Sequence, residues 1–173
     1  MNLTRRRPEP VLLTAVLLLT AAAVFAAVAG WSRASAPSVP AAAGVRDRAL
    51  QAGEQAVLNF NTLDYRHVGA GLKLWEQSST GSLRAGIVTG RAAFEKEIRQ
   101  AGTITTARIL DGALTSLNVN SGRAAIIVAI QLTVTPSHGT PVVKESRLEG
   151  ELTRTPAGWK LSALSQAPVQ AAS

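Results

Sequence analysis

The run from Val11 to Trp31 is the feature that most constrains this chain. It reads VLLTAVLLLTAAAVFAAVAGW and contains no charged residue. At about 1.5 Å per helical residue, these 21 residues span about 31 Å, which matches the hydrocarbon core of a bilayer. In hydrocarbon every backbone amide must be hydrogen-bonded within the segment. The run therefore predicts a single transmembrane helix.

The charges on either side of the run predict its orientation. Arg5, Arg6 and Arg7 precede it, whereas only Arg33 follows it closely. Basic residues stay on the inner side of a membrane. We therefore expect a plasma-membrane protein with a cytoplasmic amino terminus and an extracytoplasmic carboxy-terminal domain.

A cleaved secretory signal is the alternative interpretation of the same run. The apolar core of a signal peptide is usually about 7 to 15 residues long, and this one is longer. The best cleavage site, Ala34-Ser35-Ala36, is followed by Pro37, which is unfavourable after a scissile bond. Both interpretations place the rest of the chain outside the cytoplasm.

Composition divides the chain into five segments. We predict a cytoplasmic tail over residues 1–10, the transmembrane helix over 11–31, a Pro/Ala/Ser linker over 32–44, an outer domain over 45–165 and a disordered tail over 166–173. The outer domain is long enough for one hydrophobic core.

Charge and cysteine content exclude several classes of function. Residues 45–173 carry 14 Lys and Arg against 10 Asp and Glu, scattered singly, which does not make a nucleic-acid surface. The chain has no cysteine, which excludes disulfides, thiol chemistry and cysteine-ligated zinc. The two histidines, His67 and His138, lie far apart in sequence, and we expect no metal and no cofactor.

Hydrophobic periodicity predicts an α+β domain. Apolar residues recur at helical spacing in three segments and alternate with a period of two in four later ones. The predicted helices cover residues 45–63, 68–75 and 81–101, and the predicted strands cover residues 103–117, 123–135, 142–155 and 159–164. We expect about three helices packed on a curved four-stranded antiparallel sheet, which would form a cone around a hollow.

Three details of the strands are also predicted. Residues 123–135 are apolar on both faces, which indicates a central strand. Residues 142–155 place Glu145, Glu149 and Glu151 on one face, which should be wet. Asp111-Gly112 interrupts the alternation of its strand, as a β-bulge does.

Asp64 and His67 are the weak candidates for catalysis. Three residues apart, they lie close enough for a carboxylate to orient an imidazole as a general base. The simpler interpretation makes Asp64 the cap of the following helix and His67 a surface residue of its first turn. No third acidic or basic group is identifiable beside them, so we predict no catalytic site.

Three other residues are candidates for lining the hollow. Tyr65 and Trp75 are aromatic residues with a polar edge, and such residues occur more often in a core than in a pocket. Asp111 on the first long strand is a possible acid in the cavity, although the bulge explains it more simply.

Three short stretches resemble the Mce-associated membrane proteins, which accompany mammalian-cell-entry transport systems in bacteria. These stretches are Arg46-Asp47-Arg48-Ala49-Leu50, Asn61-Thr62-Leu63-Asp64-Tyr65-Arg66 and Gly158-Trp159-Lys160-Leu161. The resemblance implies an amino-terminal anchor and an outer domain of the nuclear-transport-factor-2 or SnoaL type. It also implies an accessory role in a lipid-transport complex of the cell envelope.

Three functional hypotheses remain at this stage. The first is a non-enzymatic, membrane-anchored accessory whose outer domain contacts transporter subunits or lipid. The second is a SnoaL-like isomerase or hydratase that uses Asp64 and His67 on a hydrophobic small molecule. The third is a homo-oligomeric envelope scaffold joined through the open face of the sheet.

Overall fold

The computed structural model describes residues 39–167. The predicted transmembrane helix over residues 11–31 lies outside this range. Within it, no helix combines the length and the hydropathy needed to cross a membrane. Residues 43–167 belong to one compact unit.

Helices come first in the chain and strands follow, which confirms the α+β prediction. The helices are α1 (Val39–Asn61), α2 (Val68–Ser78) and α3 (Gly81–Ala101). The strands are β1 (Leu63–Asp64), β2 (Thr103–Asn118), β3 (Arg123–Pro136), β4 (Val142–Thr155) and β5 (Gly158–Gln166). All pair antiparallel in the order β1-β2-β3-β4-β5, and the sheet curves into a half-barrel.

The described sheet has five strands, so the prediction of four is wrong. The additional strand, β1, is two residues long and pairs Leu63 with Thr105 and Asp64 with Ile104. Alternation is recognisable in a sequence only over about four residues or more. A two-residue strand leaves no such pattern, and only the pairing with β2 defines it.

The first helix begins earlier than the periodicity predicts. It starts at Val39, inside the segment predicted as a linker, rather than at Val45. Pro40 lies in the first turn, where its missing N–H costs no intrahelical hydrogen bond. The alanines that follow have the highest helix propensity of any residue, but an all-alanine segment shows no apolar stripe, so periodicity does not reveal it. At the other end, β5 continues to Gln166, beyond its predicted end at Leu164.

Strand β3 lies at the centre of the sheet, as predicted. One face of it is buried and the other is half-buried. The buried residues are Ala124, Ile126, Val128 and Ile130, and the half-buried ones are Ala125, Ile127 and Ala129. The helices cover the first face, so the core of the domain lies between α1 and the concave side of the sheet.

A glycine allows α1 to lie close to the sheet. A Cβ atom at Gly53 would lie 2.6 Å from Cδ1 of Ile126 and 3.0 Å from Cδ1 of Leu152. Both of these side chains are buried in the centre of the core. Ala49 and Ala56, on the same face of α1, are also small and buried. Small residues on α1 therefore set its distance from the sheet.

We expect Gly53→Val to destabilise the domain by about 1 to 3 kcal/mol, because overpacking forces neighbouring core side chains off their rotamers. Gly86→Val is the matched control, since Gly86 is an exposed residue of α3 where an added Cβ would meet no neighbouring side chain within 4 Å. Urea unfolding of the two variants measures the difference. Equal stabilities would show that α1 does not pack closely on the sheet.

Two bulges mark β2. Its register with β3 shifts between Ile109 and Asp111 and again between Leu114 and Ser116. The first shift lies where the Asp111-Gly112 pair predicts a bulge. Bulges add local twist and bend to the strand that carries them, which contributes to the curvature of the sheet.

Candidate functional site

Asp64 and His67 contact each other at the surface of the domain. Nδ1 of His67 lies 3.3 Å from Oδ2 of Asp64. Arg66 binds the same carboxylate more closely, because its backbone N–H donates to Oδ1 at 2.9 Å and its guanidinium donates to Oδ2 at 2.9 Å. The His67 side chain is 74% exposed. Asp64 and His67 are therefore in contact, as their spacing predicts, but Arg66 makes most of the hydrogen bonds to the carboxylate.

Asp64 does not cap α2. The residue at the N-cap position is His67, and no side chain donates or accepts a capping hydrogen bond there. Asp64 instead closes a turn on the N–H two residues ahead, as aspartate often does. Hydrogen bonds from Arg66 hold the pKa of the Asp64 carboxyl well below its usual value. A carboxylate with a depressed pKa is a poor general base at neutral pH.

The depressed pKa predicts a specific acid dependence of stability. Because the pKa of Asp64 is lower in the folded chain than its ordinary value of 3.8, the carboxylate stabilises the fold above that pH. Its contribution is lost as the pH falls below that value. Urea unfolding should show Asp64→Asn less stable than the parent at pH about 7, with the gap closing towards pH about 2. Asp47→Asn, at an exposed position of α1, is the control. Parallel stability curves at every pH would contradict this role.

Trp75 lies in an aromatic cluster that joins the three helices. Its ring stacks on Phe60 of α1 at a centroid distance of 5.3 Å and meets Phe94 of α3 edge-on at 6.3 Å. The indole N–H donates to the carbonyl of Asn59 at 2.8 Å. The indole N–H is thus hydrogen-bonded, and the ring is packed against other aromatic rings within the protein.

The other two predicted lining residues contact their own neighbours in sequence. Tyr65 is half-buried, and the guanidinium carbon of Arg66 lies 5.9 Å from the centre of its ring. Asp111 is exposed, and its side chain accepts the N–H of Gly112 at 2.8 Å. Neither residue lines any of the three cavities at the margins of the domain.

The centre of the concave face is filled by side chains. Val57 of α1 is fully buried there, together with Leu152 of β4 and Leu161 of β5. A packed core therefore occupies the position where we expected a hollow. Three cavities lie at its margins. Two smaller ones, of about 350 and about 480 Å³, lie at the β2–β3 end of the sheet and beside the start of α3.

The largest of these three cavities is a cleft between α1 and the β4–β5 hairpin, which we call the hairpin cleft. Its volume is about 570 Å³, within the range of small-ligand sites. Helix α1 contributes one wall and the tip of the hairpin contributes the other. The lining residues are Val45, Arg48, Gln51, Ala52, Gln55, Arg154, Thr155, Pro156, Gly158 and Trp159.

Turn chemistry shapes the hairpin wall of the cleft. Gly158 has a φ of 101°, a backbone conformation that residues other than glycine rarely adopt. The Thr155 hydroxyl donates to the Gly158 carbonyl at 2.8 Å and accepts the Ala157 N–H at 3.2 Å. Arg154 and Trp159 are cross-strand partners just below this turn. The turn therefore presents a guanidinium and an indole side by side.

The charge of the hairpin cleft is positive. Arg48 enters from the helix and Arg154 from the hairpin, and no described lining residue is acidic. Among residues 39–167, the ion pairs involve Arg66, His67 and Arg91, so neither cleft arginine has a carboxylate partner there. Sequence reasoning missed this site. The available signal was a polar row at Arg48, Gln51 and Gln55, beside the apolar stripe of α1.

The sequence matches no family model and no curated protein. Several solved structures share the fold. An IcmL-like type IV secretion system protein from Legionella pneumophila is 12% identical with a TM-score of 0.57, covering 74% of this chain and 96% of that one. The periplasmic domain of DotI is 15% identical with a TM-score of 0.57, covering 76% and 96%. A periplasmic fragment of TraM is 17% identical with a TM-score of 0.54, covering 67% and 92%.

These structures overturn the family suggested by the short motifs. The chain shares its fold with a type IV secretion protein and with periplasmic domains, and the assignment to the Mce-associated proteins is wrong. The motifs reflect local turn chemistry: Asp64 closes a turn on Arg66, and Gly158 supplies the positive φ of the last hairpin. Other chains that need the same turns can select the same residues, so these motifs do not identify a family.

Proposed function

We propose that this protein is a membrane-anchored, non-enzymatic accessory of the bacterial cell envelope, whose outer domain binds other subunits of an envelope assembly. The observation that carries the proposal is the likeness of nearly the whole described domain to periplasmic domains, which it matches over 92% to 96% of their length. The apolar run from Val11 to Trp31, with its preceding arginines, supports a single-pass anchor with the domain outside.

The interior of the domain supports a binding role over catalysis. Core side chains fill the concave face, where a SnoaL-like enzyme would need an open pocket. The Asp64 carboxylate is engaged by Arg66, and the His67 imidazole is largely in solvent. In this proposal the outer domain binds the surfaces of other proteins in an envelope assembly that resembles a secretion system.

Recovery of the tagged full-length chain from detergent-solubilised membranes, at native expression, tests the proposal. We expect a reproducible membrane-protein partner in stoichiometric amount. The control keeps residues 1–42 and removes the outer domain, and it should recover no partner. Recovery of the full-length chain alone after mild cross-linking would refute the accessory role.

Protease accessibility tests the proposed topology. Protease added to intact spheroplasts should degrade residues 43–167 and leave a cytoplasmic marker protein intact. Protection of the domain until the membrane is permeabilised would place it inside the cell and contradict the proposal.

Self-association is a second candidate role, favoured by the outer face of the sheet. The outward residues of the central strand are Ala125, Ile127 and Ala129, which are apolar and only half-buried. Their cross-strand neighbours on β4 are Glu151, Glu149 and Arg147, which would give an apolar centre a charged border on that side. Light scattering of the solubilised chain should show a dimer that Ile127→Lys dissociates. A monomer for the parent chain would eliminate this role.

A further inference from the structure

We propose that the hairpin cleft binds an acidic peptide segment of a partner protein, with Arg48 and Arg154 as its carboxylate-binding residues. This deepens the proposed function, on which it rests for the identity of the partner as a protein. The cleft lies on a different part of the domain from Asp64 and His67, and neither residue lines it.

Charge complementarity is the first argument. The two guanidinium groups approach the cleft from different elements, Arg48 from α1 and Arg154 from β4. In the described part of the chain, neither has a carboxylate within ion-pair distance. Guanidinium groups bind carboxylates through two parallel N–H···O bonds, and these are among the stronger hydrogen bonds in proteins. A segment with two acidic side chains would match this pair.

The remaining lining fits a peptide. Gln51 and Gln55 lie one helical turn apart on the wall formed by α1, and both are exposed. A glutamine amide both donates and accepts hydrogen bonds, as a peptide main chain requires. A lipid phosphate only accepts hydrogen bonds, so it would use the amide N–H donors and leave the amide oxygens without a partner.

The indole of Trp159 provides the apolar part of the site. Trp159 is half-buried against the hydrophobic core and also lines the cleft, next to Pro156. Aromatic residues and arginines are the residue types most enriched at the energetic centres of protein interfaces. The volume of about 570 Å³ admits a few side chains and not a folded domain. The predicted ligand is therefore a short acidic segment that also carries apolar side chains.

Titration of the full-length chain in detergent micelles with a peptide of alternating glutamate and leucine tests the proposal. The readout is the NMR signal of each indole N–H. We expect the Trp159 signal, assigned with Trp159→Phe, to shift saturably. The Trp75 signal should stay in place, because its N–H is already bonded to Asn59. Raising the salt from about 50 to about 500 mM should weaken binding, because exposed charges are screened.

Paired variants separate a local site from general electrostatic attraction. Arg48→Gln with Arg154→Gln should weaken binding of the peptide by about tenfold or more. Arg84→Gln with Arg99→Gln removes the same charge from α3 and should change binding by less than about twofold. All four arginines are exposed, so both double variants should unfold at the temperature of the parent.

Several results would overturn the proposal. They are equal weakening in both double variants, equal binding of a peptide with glutamine in place of glutamate, and no saturable shift at about 1 mM peptide. Displacement by phosphatidylglycerol vesicles without binding of the peptide would assign the cleft to a lipid headgroup instead. Peptide binding combined with failure of partner recovery from membranes would support the cleft assignment and contradict the envelope-accessory role.

Discussion

Replacing Ile126 by alanine is expected to lower the free energy of unfolding by about 3 to 4 kcal/mol. Ile126 is 1% exposed and lies on the concave face of β3, where it contacts the helix-facing core. Removing its branched side chain loses transfer free energy and leaves a cavity, and isoleucine-to-alanine changes in cores cost about 2 to 5 kcal/mol. Gly53 of α1 lies directly over this side chain. The rigid helix backbone cannot easily move to fill the cavity, so most of its cost remains.

Ile127 is the matched control for this prediction. It is the same residue type in the same strand, but it lies on the opposite face and is only half-buried. Ile127→Ala should cost about 1 kcal/mol, because less apolar surface returns to water. Denaturant unfolding of both variants at neutral pH measures the difference. Equal losses, or a larger loss at Ile127, would show that the helices cover the other face of the sheet.

Replacing Trp75 by alanine is expected to cost about 3 to 5 kcal/mol. The indole packs between Phe60 of α1 and Phe94 of α3. Its removal therefore abolishes the aromatic contact that joins the three helices. Aromatic pairs contribute about 0.5 to 1.5 kcal/mol beyond the area that they bury. The carbonyl of Asn59 would also lose its donor.

Two further variants resolve the contributions at Trp75. Trp75→Phe keeps a stacked ring but removes the indole N–H, and it should cost about 1 to 2 kcal/mol. Leu74→Ala, at a neighbouring position of α2 that is 45% exposed, should stay within about 0.5 kcal/mol of the parent. Thermal unfolding of the three variants checks the order. Parent-like stability of Trp75→Ala would show that this tryptophan is not a structural anchor and would reopen a ligand-binding role for it.

The failed family assignment has an instructive physical origin. The stretch around Asp64 and the glycine-tryptophan pair at 158–159 both correspond to real features of the fold. Each one satisfies a local requirement, a turn on a backbone N–H in one case and a positive φ in the other. Local requirements are shared by unrelated chains, whereas an interface with a particular partner is not.

The weak catalytic candidates, Asp64 and His67, show a related limit of sequence reasoning. Spacing of three residues brings Asp64 and His67 into contact, as the sequence indicates. Spacing does not reveal that Arg66 binds the same carboxylate, or that the pair lies at the surface away from the three cavities. The hairpin cleft depends on contacts between still more distant parts of the sequence, because Arg48 lies near the start of the domain's sequence and Arg154 near its end.

The sequence by itself determined the order and type of the three helices and the four long strands, and the central position of β3. Periodicity is a local property, and burial on one or both faces imposes it directly on neighbouring residues. Only the tertiary structure decided the pairing of β1 with β2, the aromatic cluster around Trp75 and the position of the hairpin cleft. Each of these depends on where α1 crosses the sheet and how far the sheet curves. Those distances are set by packing between segments far apart in the chain, and no local pattern encodes them.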